Sequence, residues 1–266
     1  PWVARLACSG SHGDFRFCDG NWLSRWQLPA LVKSVSTVVA LDKQTRQEAL
    51  DRGVPENRVV IIRNGLVFKR PLHVRPAAPL NGAPLRVLFL GRLAAQKRLS
   101  TLIHAWQQAV GPTSTLELQL AGDGEERGAL EALVEALGIS SNVNFLGQLD
   151  DPQTTLEQAQ LFVNPSESEG LPNAVLEAAA CGVPLVLSDI PIHREIAEAV
   201  GMADYLFAVG DAQALAVAIR KFIGLHPAAR AQLSQRCAAF GQRFLPQNRD
   251  SAYLHLYRKL LESRNC

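Results

Sequence analysis

Two glutamates eight positions apart, Glu169 and Glu177, stand in the stretch ESEGLPNAVLEAAACG that runs from Glu167 to Gly182. Pro172 fits the first turn of a helix that stops at Gly182, which places Glu169 in the preceding loop and Glu177 about a turn and a half inside. The N–H groups of Gly170, Leu171 and Asn173 at such a terminus would receive a phosphate. Glu177 would accept hydrogen bonds from two vicinal hydroxyls, as carboxylates do when they hold ribose. The same acids also fit without a ligand: Glu167 and Glu169 suit the positive end of the helix dipole, with Ser166 or Ser168 as cap, and Glu177 fits a surface position. Against that, a solvated charge would interrupt the apolar run VLEAAACG.

Three other stretches hold comparable chemistry. GRLAAQK supplies Gly91, Arg92 and Lys97, where a bidentate guanidinium and a point charge suit a diphosphate, or form an ordinary turn with two solvated cations. Gly122, Asp123 and Gly124 make a turn whose glycines open space for a ligand, a pattern also common in plain turns. Phe145 and Leu146 precede Gly147, where backbone groups would meet the edge of a planar base, although Phe145 also reads as core. His12, in SGSHGDF with Asp14 two residues on, is either a site histidine or a structural one.

His12 follows a predicted strand of the upstream segment, and the others lie at the ends of or after short apolar runs: LRVLFLG, LELQLAG, NVNFLG and QLFVNPS, with PLVLSD and DYLFAVGD continuing the series. Between the runs lie segments of helical periodicity, LSTLIHAWQQAV, ERGALEALVEALG, PQTTLEQA, LPNAVLEAAACG, PIHREIAEAV and AQALAVAIRKFI. Continuous apolar strands alternating with helices predict an α/β fold, a doubly wound parallel sheet buried on both faces. In such sheets ligands bind beyond the C-terminal strand ends, where these candidates fall. Residues 1–70 read as a partial α/β domain, 71–84 as a proline-rich linker, 85–245 as the main domain and 246–266 as a terminal amphipathic helix carrying Tyr253, Leu254, Leu256, Tyr257, Leu260 and Leu261.

The 266 residues are 47% apolar, enough for a substantial core, and carry 27 basic against 25 acidic residues for a formal charge of +2. That balance excludes global electrostatic recruitment to nucleic acid or to an anionic membrane, so any anion must be held locally. Cys8, Cys18, Cys181, Cys237 and Cys266 show neither CxxC spacing nor histidine partners, and read as free thiols in a reducing cytoplasm, with no metal site. No apolar run reaches the roughly 20 residues of a membrane span. The start of the chain lacks a signal-peptide layout.

GRLAAQK, LAGDGEER, NVNFLG, the Glu169–Glu177 pair within ESEGLPNAVLEAAACGVPLV, and SDIPIHREI, in this order, resemble the C-terminal domain of retaining GT-B glycosyltransferases of family 4. The resemblance extends upstream through VVALDKQTRQEALDRGVPENRVVIIRNG, which is similar to the closing strand-helix-strand of that family's N-terminal, acceptor-side domain. It implies a Rossmann-like donor-binding domain beside an incomplete N-terminal one, and transfer of a sugar from a UDP- or GDP-sugar to an acceptor hydroxyl with retention. By position, Arg92 and Lys97 would neutralise the diphosphate, and Glu177 would bind ribose. Glu169 and the run Gly170, Leu171, Pro172 and Asn173 would contact sugar and phosphates. Gly91, Gly122 to Gly124, Phe145 and Leu146 would line the nucleotide side, and His12 is a loose match to an N-domain histidine near the sugar. The resemblance also implies no obligatory cofactor or metal, a glycan, lipid-linked or small-molecule acceptor, and a cytoplasmic location that leaves peripheral membrane contact open. Two alternatives stand beside it: a nucleotide-sugar-binding module without turnover, and a nucleotide-sugar epimerase, against which the spacing of the two glutamates argues.

Overall fold

The computed structural model describes residues 3–6, 34–41, 43–62, 65–73, 85–110 and 116–262. They fall into two compact units, one formed by the chain up to Val67 together with the chain from Phe244 on, the other by Phe68–Arg243.

The first unit holds a parallel sheet in the order β1 (Val3–Arg5), β2 (Thr37–Ala40), β3 (Val59–Ile61), with α1 (Lys43–Asp51) between the last two strands. Alternation along β2 sorts its side chains: Val38 and Ala40 join Ala49 and Val54 on one face, while Val39 joins Ile62 and Leu256 on the other. Helix α1 is followed by a turn through Gly53, whose φ of 84° is the left-handed conformation that glycine adopts without strain.

The second unit alternates strand and helix: β4 (Arg86–Leu90), α2 (Leu99–Val110), β5 (Glu117–Ala121), α3 (Arg127–Ala136), β6 (Val143–Gly147), α4 (Gln153–Gln158), β7 (Leu161–Asn164), α5 (Asn173–Ala180), β8 (Leu185–Ser188), α6 (Pro191–Ala199), β9 (Leu206–Phe207), α7 (Ala212–Ile223) and α8 (Pro227–Gly241). All neighbouring strands are parallel, in the order β6-β5-β4-β7-β8-β9. The chain therefore starts in the middle, winds outward to β6, then returns to lay β7 beside β4, the doubly wound arrangement expected from the apolar runs. Every residue of β7 and β8 is buried, as the centre of a sheet covered on both faces requires. Each fully buried Leu or Phe, such as Leu88, Phe89 and Phe162, stabilises the unit by about 1.5–3 kcal/mol. Trp106 of α2 is fully buried as well, and its indole N–H donates to Asn142 Oδ1 at 3.0 Å, so the ring's one polar atom is satisfied.

Two features were not anticipated from the sequence. Helix α8 carries no conspicuous apolar stripe, and its buried residues include Ser234, Cys237, Ala238 and Gly241. Small size is its signal: a Cβ on Gly241 would lie 2.1 Å from the Ala180 nitrogen, so α8 and α5 meet backbone to backbone. The segment before the proline-rich stretch belongs to the second unit, where Arg70 N–H donates to Gln153 Oε1 at 3.1 Å and Gln153 Nε2 donates back to the Arg70 carbonyl at 3.1 Å.

The terminal helix α9 (Pro246–Glu262) belongs to the first unit. Leu256 is buried there with Tyr253 and Leu260 beside it, while Leu254, Tyr257 and Leu261 are exposed, so its apolar residues divide between two faces rather than forming one. No helix among the described residues is long and apolar enough to cross a membrane.

Candidate functional site

The winding reverses between β4 and β7, and the C-terminal ends of these two strands are the switch point at which doubly wound sheets bind ligands. The loop after β4 carries Gly91, Arg92, Gln96, Lys97 and Arg98, and the loop after β7 carries Ser166 to Leu171. Backbone and side chains tie the two loops together. Glu167 N–H donates to the Gln96 carbonyl at 3.0 Å, and Gln96 Nε2 donates to the Ser168 carbonyl at 2.7 Å. Arg98, held at a left-handed φ of 49°, pairs with Glu167 at 2.5 Å.

At the centre Lys97 Nζ donates to Glu169 Oε1 at 2.7 Å, with the two side chains only 20% and 10% exposed. The same carboxylate oxygen accepts from Ser166 Oγ at 2.7 Å and from Asn164 Nδ2 at 3.0 Å. Burial by itself would raise the Glu169 carboxyl, but the Lys97 charge and the bonds from Lys97, Ser166 and Asn164 outweigh it, and its pKa is lowered. Glu169 is therefore an anion at neutral pH.

Glu177 is half-buried on α5, its carboxylate makes no hydrogen bond or ion pair to another described residue, and burial raises its pKa. Nothing links it directly to Glu169. Arg92 is 70% exposed and stands 4.0 Å from Glu125 Oε1, a loose surface contact that leaves its donors available.

The neighbouring loops form a wall made of main chain. Gly91 N–H donates to the Ala121 carbonyl at 3.0 Å, and Gly122 N–H to the Gly147 carbonyl at 2.7 Å. A Cβ on Gly122 would lie 1.8 Å from Gly91 O, and one on Gly124 would lie 2.4 Å from Leu93 O, so only glycine permits this approach. Asp123 turns back to accept from Gly124 N–H at 2.7 Å and from Arg127 Nη1 at 3.2 Å. Phe145 and Leu146 are half-buried at the end of β6.

Three local expectations are corrected. Helix α5 begins at Asn173, and Pro172 sits just before it with a non-helical ψ of 79°. The helix has no side-chain cap: Ser166 turns to Asn164 and Glu169, and Glu167 is drawn to Arg98 instead of serving only the dipole. Asn173 N–H is already committed to the Leu171 carbonyl at 2.9 Å, which leaves Gly170 and Leu171 as the expected donors without an acceptor among the described residues. His12 lies outside the described residues. The sequence reading did not single out Asn164, Ser188 and His193, polar residues buried at or just beyond the ends of β7 and β8. For Asn164 and Ser188 the signal is the abrupt change from apolar run to polar residue in LFVNPS and LVLSD, whereas His193 carries none.

Comparison with known proteins identifies the family and the fold. The family model of glycosyl transferases group 1 matches residues 84–224, more than half of the chain. The chain is 29% identical over 180 residues to the putative colanic acid biosynthesis glycosyltransferase WcaL of Salmonella typhimurium, covering 64% of this chain and 43% of that protein. It is 40% identical over 100 residues to the lipopolysaccharide core biosynthesis glycosyltransferase LpsE of Rhizobium meliloti, covering 38% of this chain and 28% of that one. The chain thus spans less than half the length of these relatives. The crystal structure of HepE from Anabaena in complex with UDP superposes with a TM-score of 0.79 at 20% identity, over 97% of this chain and 72% of that chain. The likeness is one of fold, that of GT-B proteins with Rossmann-like domains.

Proposed function

The chain belongs to the glycosyl transferases group 1 family, and we propose that its second unit binds a UDP- or GDP-sugar for transfer to an acceptor hydroxyl with retention at the anomeric carbon. The observation that carries this reading is the group of side chains at the switch point, where Lys97 and Glu169 are locked together, with an available Arg92 and two unengaged N–H groups on the same two loops. In this reading Arg92 and Lys97 stabilise the diphosphate as negative charge develops on it, and the Gly170 and Leu171 N–H groups add donors to phosphate and sugar. Glu169, ionised and fixed, aligns the sugar. Glu177 takes the ribose hydroxyls, since a carboxylate held half-buried without a partner gains most from a ligand that supplies donors. The Gly122–Gly124 turn, Gly91, Phe145 and Leu146 face the base. The UDP bound by HepE favours a uridine donor, and the names of WcaL and LpsE favour a glycan or lipid-linked acceptor. The unpaired, buried Cys181 and Cys237 favour a cytoplasmic setting.

Calorimetric titration of the chain with UDP-glucose and GDP-mannose tests the reading. Binding of one of them, weakened by at least about tenfold when Arg92→Ala and Glu177→Ala are combined, is expected from the loss of charge-assisted contacts. Unchanged affinity in the double variant would sink it. Where transfer is observed, the anomeric configuration of the product, read by NMR, decides retention.

A further inference from the structure

His193 lies on the first turn of α6, fully buried, just past the end of β8. Its Nδ1 is 3.1 Å from the Ser188 carbonyl oxygen and 3.1 Å from Ser188 Oγ. The hydroxyl of Ser188 in turn stands 2.5 Å from the Ser166 carbonyl oxygen. Carbonyl oxygens only accept, so the one Ser188 hydroxyl proton goes to Ser166 and the proton on the imidazole must sit on Nδ1, pointing at Ser188. Nε2 is then a bare lone pair, and it is buried with no partner among the described residues. Such a group is a poor filler for an apolar space. Burial, the largest influence, lowers the imidazole to about 4, with the Lys97 charge adding to the effect and the Glu169 charge and the Ser188 carbonyl opposing it. The ring is neutral at physiological pH and lies within electrostatic reach of both members of the central ion pair.

From Ser166 the path continues to the site, because the Ser166 hydroxyl meets Glu169 Oε1 at 2.7 Å, on the oxygen that receives Lys97. The same hydroxyl stands 2.5 Å from Asn164 Oδ1, and between the two acceptors the charge on the carboxylate favours Glu169. The order is therefore His193 Nδ1–H to Ser188, Ser188 Oγ–H to the Ser166 carbonyl, and Ser166 Oγ–H to Glu169.

We propose that His193 is a positioning residue for the Glu169 carboxylate, acting as a neutral Nδ1–H donor through Ser188 and Ser166. The proposal rests on the nucleotide-sugar reading for its consequence in binding, though not for the relay itself. It assigns a task to a strand end that the direct ligand contacts leave unused. Because the ring carries no charge, it orients Glu169 without competing with Lys97 for it.

Asparagine keeps an N–H near the position of Nδ1, whereas glutamine reaches toward Nε2 and vacates Nδ1. In long-range 15N–1H spectra at neutral pH, His193 is expected as the neutral Nδ1–H tautomer; an imidazolium or an Nε2–H ring would overturn the proposal. In UDP-glucose titrations, His193→Gln is expected to weaken binding at least about tenfold and His193→Asn to recover it to within about threefold, while His193→Gln adds less than about threefold once Glu169 is already Gln. Equal losses in the Asn and Gln variants, or a Gln effect that persists in full without Glu169, would overturn it. If the wild-type chain binds no nucleotide sugar, the functional reading fails. The relay is then decided by the same cycle on ligand-free unfolding midpoints, where coupling between positions 193 and 169 supports it and additivity refutes it. Should the Gln variant not fold, Ser188→Ala removes the next link and takes its place.

Discussion

Glu169 enters a nearly closed space already furnished with a cation and two neutral donors, whereas Glu177, one helix later, enters a half-buried position with none. The first carboxylate is held in its charged form by its surroundings and the second is pushed toward its neutral form. The difference separates two ways of making a site. Around Glu169 the chain completes its own electrostatics in advance, so the group is fixed before any ligand arrives. At Glu177 the chain leaves the electrostatics incomplete, and a ligand with hydroxyl donors would finish them.

Removing the compensated carboxylate should have the largest effect. Glu169→Gln leaves Lys97 mostly buried without its counter-charge and is expected to lower stability by about 2–3 kcal/mol in urea unfolding. Lys97→Met, which strands Glu169 instead, should lose a similar amount, and a loss below about 1 kcal/mol in both would break the contrast. Glu177→Gln should behave in the opposite sense. It is expected to weaken UDP-glucose binding by about tenfold. At neutral pH it should raise ligand-free stability by up to about 1 kcal/mol, since it removes a charge that folding desolvates.

The pH dependence sharpens the same opposition. The folded pKa of Glu169 lies below its unfolded value, so its contribution is present above the ordinary carboxylate range and lost as pH falls through the folded value. That of Glu177 lies above, so its contribution is fully present below the ordinary range and is lost as pH rises through the folded value. Unfolding midpoints of the two Gln variants against wild type, measured from acid to neutral pH, should therefore diverge in opposite directions as pH rises. The smallest effect belongs to the exposed neighbour of the central pair. Arg98 and Glu167, 51% and 39% exposed, join the same two loops, yet Arg98→Ala should cost less than about 1 kcal/mol because water screens the pair.

The sheet of the second unit was legible because its strands are apolar on both faces and each is closed by a change to glycine or polar residues, as in FLGR and FVNP. Helix α8 was not, since a helix that packs through Ser234, Ala238 and Gly241 offers little hydrophobic contrast for periodicity to detect. The crowding of acids before α5 was legible, but their division was not. That Glu167 goes to Arg98 and Glu169 to Lys97 depends on how the loop after β4 lies across the loop after β7, contacts about 70 residues apart in the chain. The half-burial of Glu177 follows from helix rotation only once the start of α5 is known, and that start fell after Pro172. The buried histidine stayed hidden because a single imidazole in IPIHRE has no sequence mark that distinguishes it from a surface residue.

The hydrogen bonds from Gly91 to Ala121 and from Gly122 to Gly147 are made entirely between peptide groups, so this side of the switch point is drawn in atoms that every amino acid shares. At Gly122 and Gly124 an added side chain collides with the facing main chain, so variation at these positions has little to act on. A lineage drifting in sequence would thus keep the wall as a heritable constant while the polar half around Asn164, Ser166 and Glu169 remained open to selection. An engineer seeking a new preference would meet the same asymmetry, and would have to alter loop length on one side but only residue identity on the other.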